Sequence, residues 1–163
     1  MPEFNKYLAV GKAEFEAFSG ATANSLNNKV KKSLGNEKID SAIIHVGVNN
    51  LLNSSENYSS IVKSIIDIGN TCKKLGTKNI FISSILFSYK IDSSILNFVN
   101  KSLYDQCILH GFHFINNNNF DPSNLWSDGL HLNESGKVVL ANNFIHFVNS
   151  FLCQTHWVPY LKQ

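Results

Sequence analysis

Residues 41–50 read SAIIHVGVNN, and this stretch decides the fold of the chain. Residues 41–46 form a nearly continuous apolar run, which ends at Gly47 and two asparagines. A strand that helices cover on both faces has this composition, because neither of its faces meets water. Such strands build parallel sheets, and ligands bind beyond their carboxyl ends. The stretch therefore predicts a buried strand that leads into a functional loop.

The rest of the chain alternates strand and helix patterns. Residues 79–86 and 112–115 are apolar runs that predict two more strands, and residues 12–18 alternate charged and apolar side chains as an edge strand does. Apolar residues at helical spacing predict helices over Ala23–Leu34, from Tyr58 to Cys72, from Ile95 to Leu109, and from Glu134 to about Phe151. The asparagine run 116–119 predicts a loop without core residues. This order predicts an α/β protein with a parallel sheet and right-handed crossovers.

Composition indicates one globular domain over residues 1–163. The chain is 44% hydrophobic and 16% charged, which excludes a disordered or fibrous class. A net charge of +2 is too small to predict a nucleic-acid partner, and Lys29, Lys31 and Lys32 are interpreted as a solvated helix face. Nucleic-acid binding is therefore unsupported by the sequence.

The cysteines and the N-terminus indicate an intracellular chain, which we expect to be cytoplasmic. Cys72, Cys107 and Cys153 lie far apart in helical patterns, so we expect buried free thiols rather than disulfides. The sequence shows no signal-peptide pattern and no apolar run long enough to span a membrane. The histidines and cysteines lack the spacing of a zinc site, so no metal is predicted.

A second informative stretch is LWSDGLHLNESGK, residues 125–137, which precedes the last predicted helix. Asp128 stands three residues before His131, and a carboxylate at that distance can accept a hydrogen bond from the imidazole and fix its tautomer. The second ring nitrogen then remains free to accept a proton. Ser, Asp, Gly and Asn also make ordinary surface turns, so this stretch alone leaves both interpretations open. Asn133 is the expected N-cap of the last helix.

Three of these segments together resemble the SGNH (GDSL-type) hydrolases, a superfamily of lipases and esterases. SGAT at residues 19–22 resembles the second family block, GVNN at residues 47–50 the third block, Gly-x-Asn-Asp, and DGLH at residues 128–131 the fifth block, Asp-x-x-His. The resemblance covers about residues 12–152 and implies a flavodoxin-like, three-layer α/β/α fold. The whole pattern is also similar to esterase-like domains of animal retrotransposons.

The resemblance implies a role for each matching residue in acyl ester hydrolysis. His131 would be the general base and Asp128 its orienter, while the Gly20 backbone N–H and the Asn49 side-chain nitrogen would be oxyanion-hole donors. The substrate class would be small esters or acyl compounds, with no cofactor.

The sequence departs from the family pattern at the nucleophile. It contains no Gly-Asp-Ser block and begins a few residues after the place where that block would stand, so we expect an N-terminally incomplete domain without the first strand of the sheet. Ser19 and Ser127 lie near family residues but lack the strand-to-helix turn that presents a nucleophile. Asn50 also stands where the family has Asp. We therefore expect an inactive domain or a fragment of a longer esterase.

Two further expectations follow from this departure. A sheet without its first strand leaves an unpaired edge, which predicts self-association. The alternative to an esterase remnant is a non-catalytic binding module that uses the retained cleft for a lipid, a protein or RNA.

Overall fold

A computed structural model describes residues 18, 20–34, 39–53 and 55–161 of the chain, with side chains up to residue 151. The elements are α1 (Ala23–Leu34), β1 (Ser41–Ile44), α2 (Val48–Leu52), α3 (Tyr58–Lys74), β2 (Asn79–Ser83), α4 (Ser93–His110), β3 (His113–Ile115) and α5 (Glu134–Leu161), with a 3-10 turn at Pro122–Asn124. The predicted edge strand at 12–18 lies outside the described residues, apart from Phe18.

The sheet has three parallel strands in the order β1-β2-β3, with helices on both faces. Alternate residues of β2 point to opposite sides. Ile80 and Ile82 pack in a core shared with α1, α3 and α4, and Phe81 packs in a second core with Phe144 and Val148 of α5. The predicted α/β class is confirmed. Within the described part of the chain, only β2 pairs with β1, so the other edge of β1 has no strand beside it.

Two strands are shorter than the predicted spans 41–46 and 79–86, because the sheet hydrogen bonds end before the apolar runs do. Pairing of β1 stops at Ile44, opposite Ile82. Beyond β2, Ile85 stays buried but leaves the sheet, and the Asn100 side chain of α4 replaces a strand partner. Asn100 Oδ1 accepts from the Ile85 N–H at 2.8 Å, and Asn100 Nδ2 donates to the Ile85 carbonyl at 2.9 Å. A side chain distant in sequence therefore decides where this strand ends.

The short helix α2, which the sequence pattern did not predict, begins directly after Gly47. Gly47 has a φ of +126°, and a Cβ at this position would lie 2.7 Å from Ile85 Cδ1 and 3.0 Å from Ile65 Cδ1. Only glycine combines this backbone angle with such close packing. Gly47 therefore makes a tight turn between β1 and α2.

The asparagine run 116–119 is a loop as predicted, but the expectation that it has no role in the core is wrong. Asn117 is buried, and its Nδ2 donates to Ser83 Oγ at 2.8 Å and to the Ser84 carbonyl at 2.9 Å. Its Oδ1 accepts from Asn143 of α5 at 3.0 Å. Asn117 thus joins the end of β2 to α5. His45 extends this network, with Nδ1 2.9 Å from Ser83 Oγ.

Two of the three cysteines have described side chains. Cys72 and Cys107 are free and buried, as predicted, and burial raises the pKa of the Cys107 thiol to about 12. In the part of the chain that the structure describes, no helix combines the length and the apolar character needed to cross a membrane.

Candidate active site

The loop that carries Asp128 and His131 is closed at its base by backbone hydrogen bonds. Leu125 and Leu132 form an antiparallel bridge, and the Trp126 N–H donates to the His131 carbonyl at 2.8 Å. Inside this closure, the Gly129 N–H donates to the Trp126 carbonyl at 2.9 Å. The loop therefore has a defined shape although it contains no long strand or helix.

Asn133 anchors the loop to the start of α5. Its Oδ1 accepts from the Gly136 N–H at 3.0 Å, which confirms Asn133 as the N-cap. Its Nδ2 donates back to the carbonyls of Ser123 at 2.7 Å and Leu125 at 3.1 Å. Gly136 permits the close approach, since a Cβ there would lie 2.2 Å from the Asn124 carbonyl oxygen.

Asp128 and His131 form a direct hydrogen bond, with 2.5 Å between His131 Nδ1 and Asp128 Oδ2. The second carboxylate oxygen accepts from the backbone N–H groups of Leu130 at 2.9 Å and His131 at 3.0 Å. The bond from the His131 ring, followed by these two backbone bonds, holds the pKa of Asp128 well below its usual range. An ionised carboxylate at Nδ1 places the ring proton there, so Nε2 is left as the proton acceptor.

The hydrogen-bonded pair of Asp128 and His131, called the dyad below, is accessible from solvent. The side chains of His131 and Asp128 are 74% and 41% exposed, respectively. Two exposed aromatic residues, Tyr89 and Trp126, stand beside the loop. The imidazole can therefore meet a molecule from solution without any change in the fold.

The Gly20 turn and Asn49 lie side by side. Gly20 has a φ of +69°, and the turn is closed by a 3.2 Å bond from the Ala21 N–H to the Phe18 carbonyl. Asn49 Nδ2 donates to the Ala21 carbonyl at 3.1 Å. An amide nitrogen carries two protons, so this bond leaves one of them available to an oxyanion.

Asn50 also links these two segments, and its contacts suit an asparagine better than an aspartate. The residue is fully buried, and its Oδ1 accepts from the Ala23 N–H at the start of α1 at 2.8 Å. Its Nδ2 donates to Glu56 Oε2 at 2.8 Å. An aspartate here would place a second carboxylate against Glu56, whereas an amide satisfies both partners.

The four candidate residues thus lie in two pairs: Asp128 and His131 share a direct hydrogen bond, and Asn49 donates to the carbonyl of Ala21, the neighbour of Gly20. Asn49 follows the carboxyl end of β1, and Gly20 precedes α1. The loop with Asp128 and His131 is hydrogen-bonded to the segment that follows β2. Among the described residues, no hydrogen bond joins one pair to the other. Ser19 lies outside the described residues. Ser127 is exposed and makes no hydrogen bond with the His131 ring in the described loop.

A groove of about 490 Å³ lies elsewhere, between α3 and α4. Its lining includes Val62, Ile66, Phe98 and His110, and none of the four candidate residues. The groove is therefore separate from the predicted site.

Ser88 and Tyr89 contact the loop of residues 125–132, called the dyad loop below, and the sequence did not predict this contact. Ser88 Oγ and the Tyr89 N–H both donate to the Gly129 carbonyl, at 2.9 Å and 3.0 Å. The only sequence signal for them is their position two to three residues after an apolar run, which is typical of many surface turns.

Comparison with known proteins identifies the fold. No family model and no curated protein sequence matches the chain. Solved structures do match. A carbohydrate esterase of family 3 from Talaromyces cellulolyticus is similar at a TM-score of 0.76 and 17% identity, over 90% of this chain and 77% of that chain. An acetyl esterase, solved as a serine-to-alanine mutant with an acetate ion, is similar at a TM-score of 0.73 and 19% identity, over 86% and 70%.

A third match is an acetylxylan esterase from Geobacillus stearothermophilus, at a TM-score of 0.66 and 14% identity, over 80% of this chain and 68% of that chain. Two of its structures are catalytic mutants, one of a serine and one of a histidine. Together with the parallel sheet between two helical layers, these matches show that the chain has the flavodoxin-like, three-layer α/β/α fold of the SGNH hydrolases.

Proposed function

We propose that this chain is an SGNH-type esterase domain that keeps the base, its orienter and two oxyanion donors but lacks the serine nucleophile. The observation that carries the proposal is the His131–Asp128 hydrogen bond of 2.5 Å, on an exposed loop of a fold shared with solved esterases. Asn49, with one side-chain proton uncommitted beside the Gly20 turn, supports the oxyanion role. The substrate class is a small acyl ester.

The four candidate residues would define every step of ester hydrolysis except the source of the nucleophile. A nucleophile that loses its proton to His131 Nε2 would attack the ester carbonyl, and the carbonyl oxygen would become negative. The Gly20 N–H and Asn49 Nδ2 would donate to that oxygen, while Asp128 would stabilise the imidazolium. The sequence has no Gly-Asp-Ser block to supply the nucleophile, so we propose that the chain as given hydrolyses esters only at a background rate.

Hydrolysis of p-nitrophenyl acetate tests this proposal, with His146→Ala as the matched control. His146 is another exposed histidine, on α5, so its removal corrects for hydrolysis by any surface imidazole. Wild type, His131→Ala and His146→Ala should agree within about twofold, and a fluorophosphonate probe should label none of them. A loss of tenfold or more in His131→Ala alone, or a labelled serine, contradicts the missing nucleophile and directs attention to Ser19 and Ser127.

The upstream reading frame offers a second test. A strand followed by Gly-Asp-Ser encoded there would make the given sequence part of a longer esterase. In that longer chain, His131→Ala should abolish activity and Asn49→Ala should lower kcat by about 10²–10³. Full activity in both variants would refute the assigned roles.

The second candidate is a non-catalytic binding module for a lipid, a protein or RNA. The exposed Trp126 and Tyr89 beside the dyad favour it, because exposed aromatic side chains are common at binding sites. Binding to phosphatidylcholine vesicles that Trp126→Ala weakens and His131→Ala leaves unchanged, with no esterase activity, would favour this module over the esterase remnant.

A further inference from the structure

The segment after β2 is hydrogen-bonded to the dyad loop at one carbonyl group, that of Gly129. The Gly129 carbonyl accepts two hydrogen bonds, from Ser88 Oγ at 2.9 Å and from the Tyr89 N–H at 3.0 Å. The Tyr89 side chain also packs directly over Gly129, where an added Cβ would lie 3.1 Å from Tyr89 Cβ. Gly129 adopts a φ of +69°, a backbone angle that favours glycine.

Ser88 holds a fixed position in this contact. Its side chain is buried, and its Oγ accepts a hydrogen bond from the Lys90 N–H at 3.1 Å while donating to the Gly129 carbonyl. A hydroxyl that both accepts and donates inside a packed turn has little rotational freedom. Its partner on the loop is therefore held in one orientation.

The Gly129 carbonyl belongs to the same peptide unit as the Leu130 N–H, and a peptide unit is planar. The carbonyl points toward Ser88, and the N–H, which points the opposite way within the same plane, donates to Asp128 Oδ1 at 2.9 Å. Ser88 thus fixes the plane from which Asp128 takes one of its backbone bonds. Asp128 in turn holds the His131 ring through its other oxygen.

We propose that Ser88 is a positioning residue for the Asp128–His131 pair and acts through the Gly129–Leu130 peptide unit. A role of Ser88 in catalysis rests on the proposed esterase site. The hydrogen-bond connection from Ser88 through the Gly129–Leu130 peptide unit to Asp128 does not. The coupling predicts that the Asp128 carboxylate loses part of its hydrogen bonding when the Ser88 hydroxyl is removed.

Ser84→Ala is the matched control for Ser88→Ala. Ser84 is a buried serine in the same connection, and its Oγ accepts from the Asn117 N–H without contacting the dyad loop. The readout is the pH titration of the Asp128 carboxyl carbon by NMR. We expect the pKa of Asp128 to rise toward the ordinary value of about 3.9 in Ser88→Ala, and to remain low in Ser84→Ala.

An unchanged Asp128 titration in folded Ser88→Ala overturns the proposal, and so does an equal change in both variants. If Ser88→Ala fails to fold, Ser88→Cys has a slightly larger side chain of the same shape with a much weaker donor, and the same two outcomes apply to it. The titration requires no turnover. A failed esterase assay therefore leaves this test intact, and a failed titration leaves the esterase proposal standing.

Discussion

Asn50 shows how a single side chain stabilises two functional segments at once. It is fully buried, it caps the start of α1 through the Ala23 N–H, and it donates to Glu56. The segment with Gly20 and the segment with Asn49 therefore keep their relative position through a residue that would not itself contact substrate. Removing either of its partners would leave a buried polar group unsatisfied.

Asn50→Asp should lower the free energy of unfolding by about 3 kcal/mol at neutral pH, because it sets an unpaired buried carboxylate against Glu56. Urea denaturation measures the change. The double variant Asn50→Asp/Glu56→Gln should recover most of the loss, since the glutamine amide can donate to the new aspartate. If the second substitution adds to the destabilisation, the contact with Glu56 is not the cause.

Asp128 makes a stability contribution that depends on pH. Its pKa is lowered in the folded state, first by the His131 ring and then by the Leu130 and His131 N–H groups. The stabilisation is present above the unfolded pKa of about 3.9 and is lost as the pH falls through the lowered folded value. The melting temperature of Asp128→Asn should therefore lie below that of wild type at pH 5, with a smaller gap at pH 2. A gap of the same size at both pH values would contradict the assignment.

At the scale of secondary-structure elements, side-chain amides replace strand pairing at the carboxyl end of the sheet. Asn100 from α4 satisfies Ile85 after β2, and Asn117 connects Ser83 and Ser84 to Asn143 of α5. The backbone can therefore leave the sheet while it remains buried. This arrangement frees the segment after β2 to reach the dyad loop.

Replacement of Asn117 tests this junction, with Asn119 as the control. Asn117→Ala removes the buried donor to Ser83 Oγ and to the Ser84 carbonyl and should destabilise the fold by about 2–3 kcal/mol. Asn119 is exposed, and among the described residues its side chain bonds only to Asn143, so Asn119→Ala should cost less than about 0.5 kcal/mol. Thermal and urea unfolding distinguish the two. Equal costs would show that Asn117 is an ordinary loop residue.

At the scale of the whole molecule, β1 is one of the two edge strands of the described sheet. β1 pairs with β2 alone, and its backbone groups on the other side have no strand partner within the described residues. Unpaired strand edges template the addition of another strand. The self-association that the sequence suggested remains a proposal, and this edge is the surface that supports it.

Light scattering after size-exclusion chromatography tests association directly. Over a dilution series from about 100 μM to 1 μM, the mean mass should exceed that of the 18.3 kDa chain at the high end and fall on dilution. Moderate salt should leave the effect intact, because backbone pairing does not depend on exposed charges. A monodisperse monomer across the whole series would contradict the edge-pairing proposal.

The sequence by itself determined the order of the long helices and of the three described strands, the parallel sheet and the dyad loop. Buried strands and amphipathic helices follow from local apolar periodicity, and the spacing of Asp128 and His131 is local as well, so their hydrogen bond needs no distant partner. Asn133 as the N-cap of α5 is local for the same reason. The order of these segments along the chain was sufficient to suggest a fold that the solved esterases share.

Only the tertiary structure decided the contacts between segments distant in sequence. These contacts depend on which backbone groups still need a partner after the sheet has formed. They set the lengths of β1 and β2, the burial of Asn117, the hydrogen bonds of Asn50 to Ala23 and Glu56, and the hydrogen bond from Ser88 to Gly129. Polar side chains of the same type lie in ordinary turns throughout the sequence. Their roles are therefore defined by three-dimensional packing, since hydrogen bonding of buried groups is settled by distance in space and not along the chain.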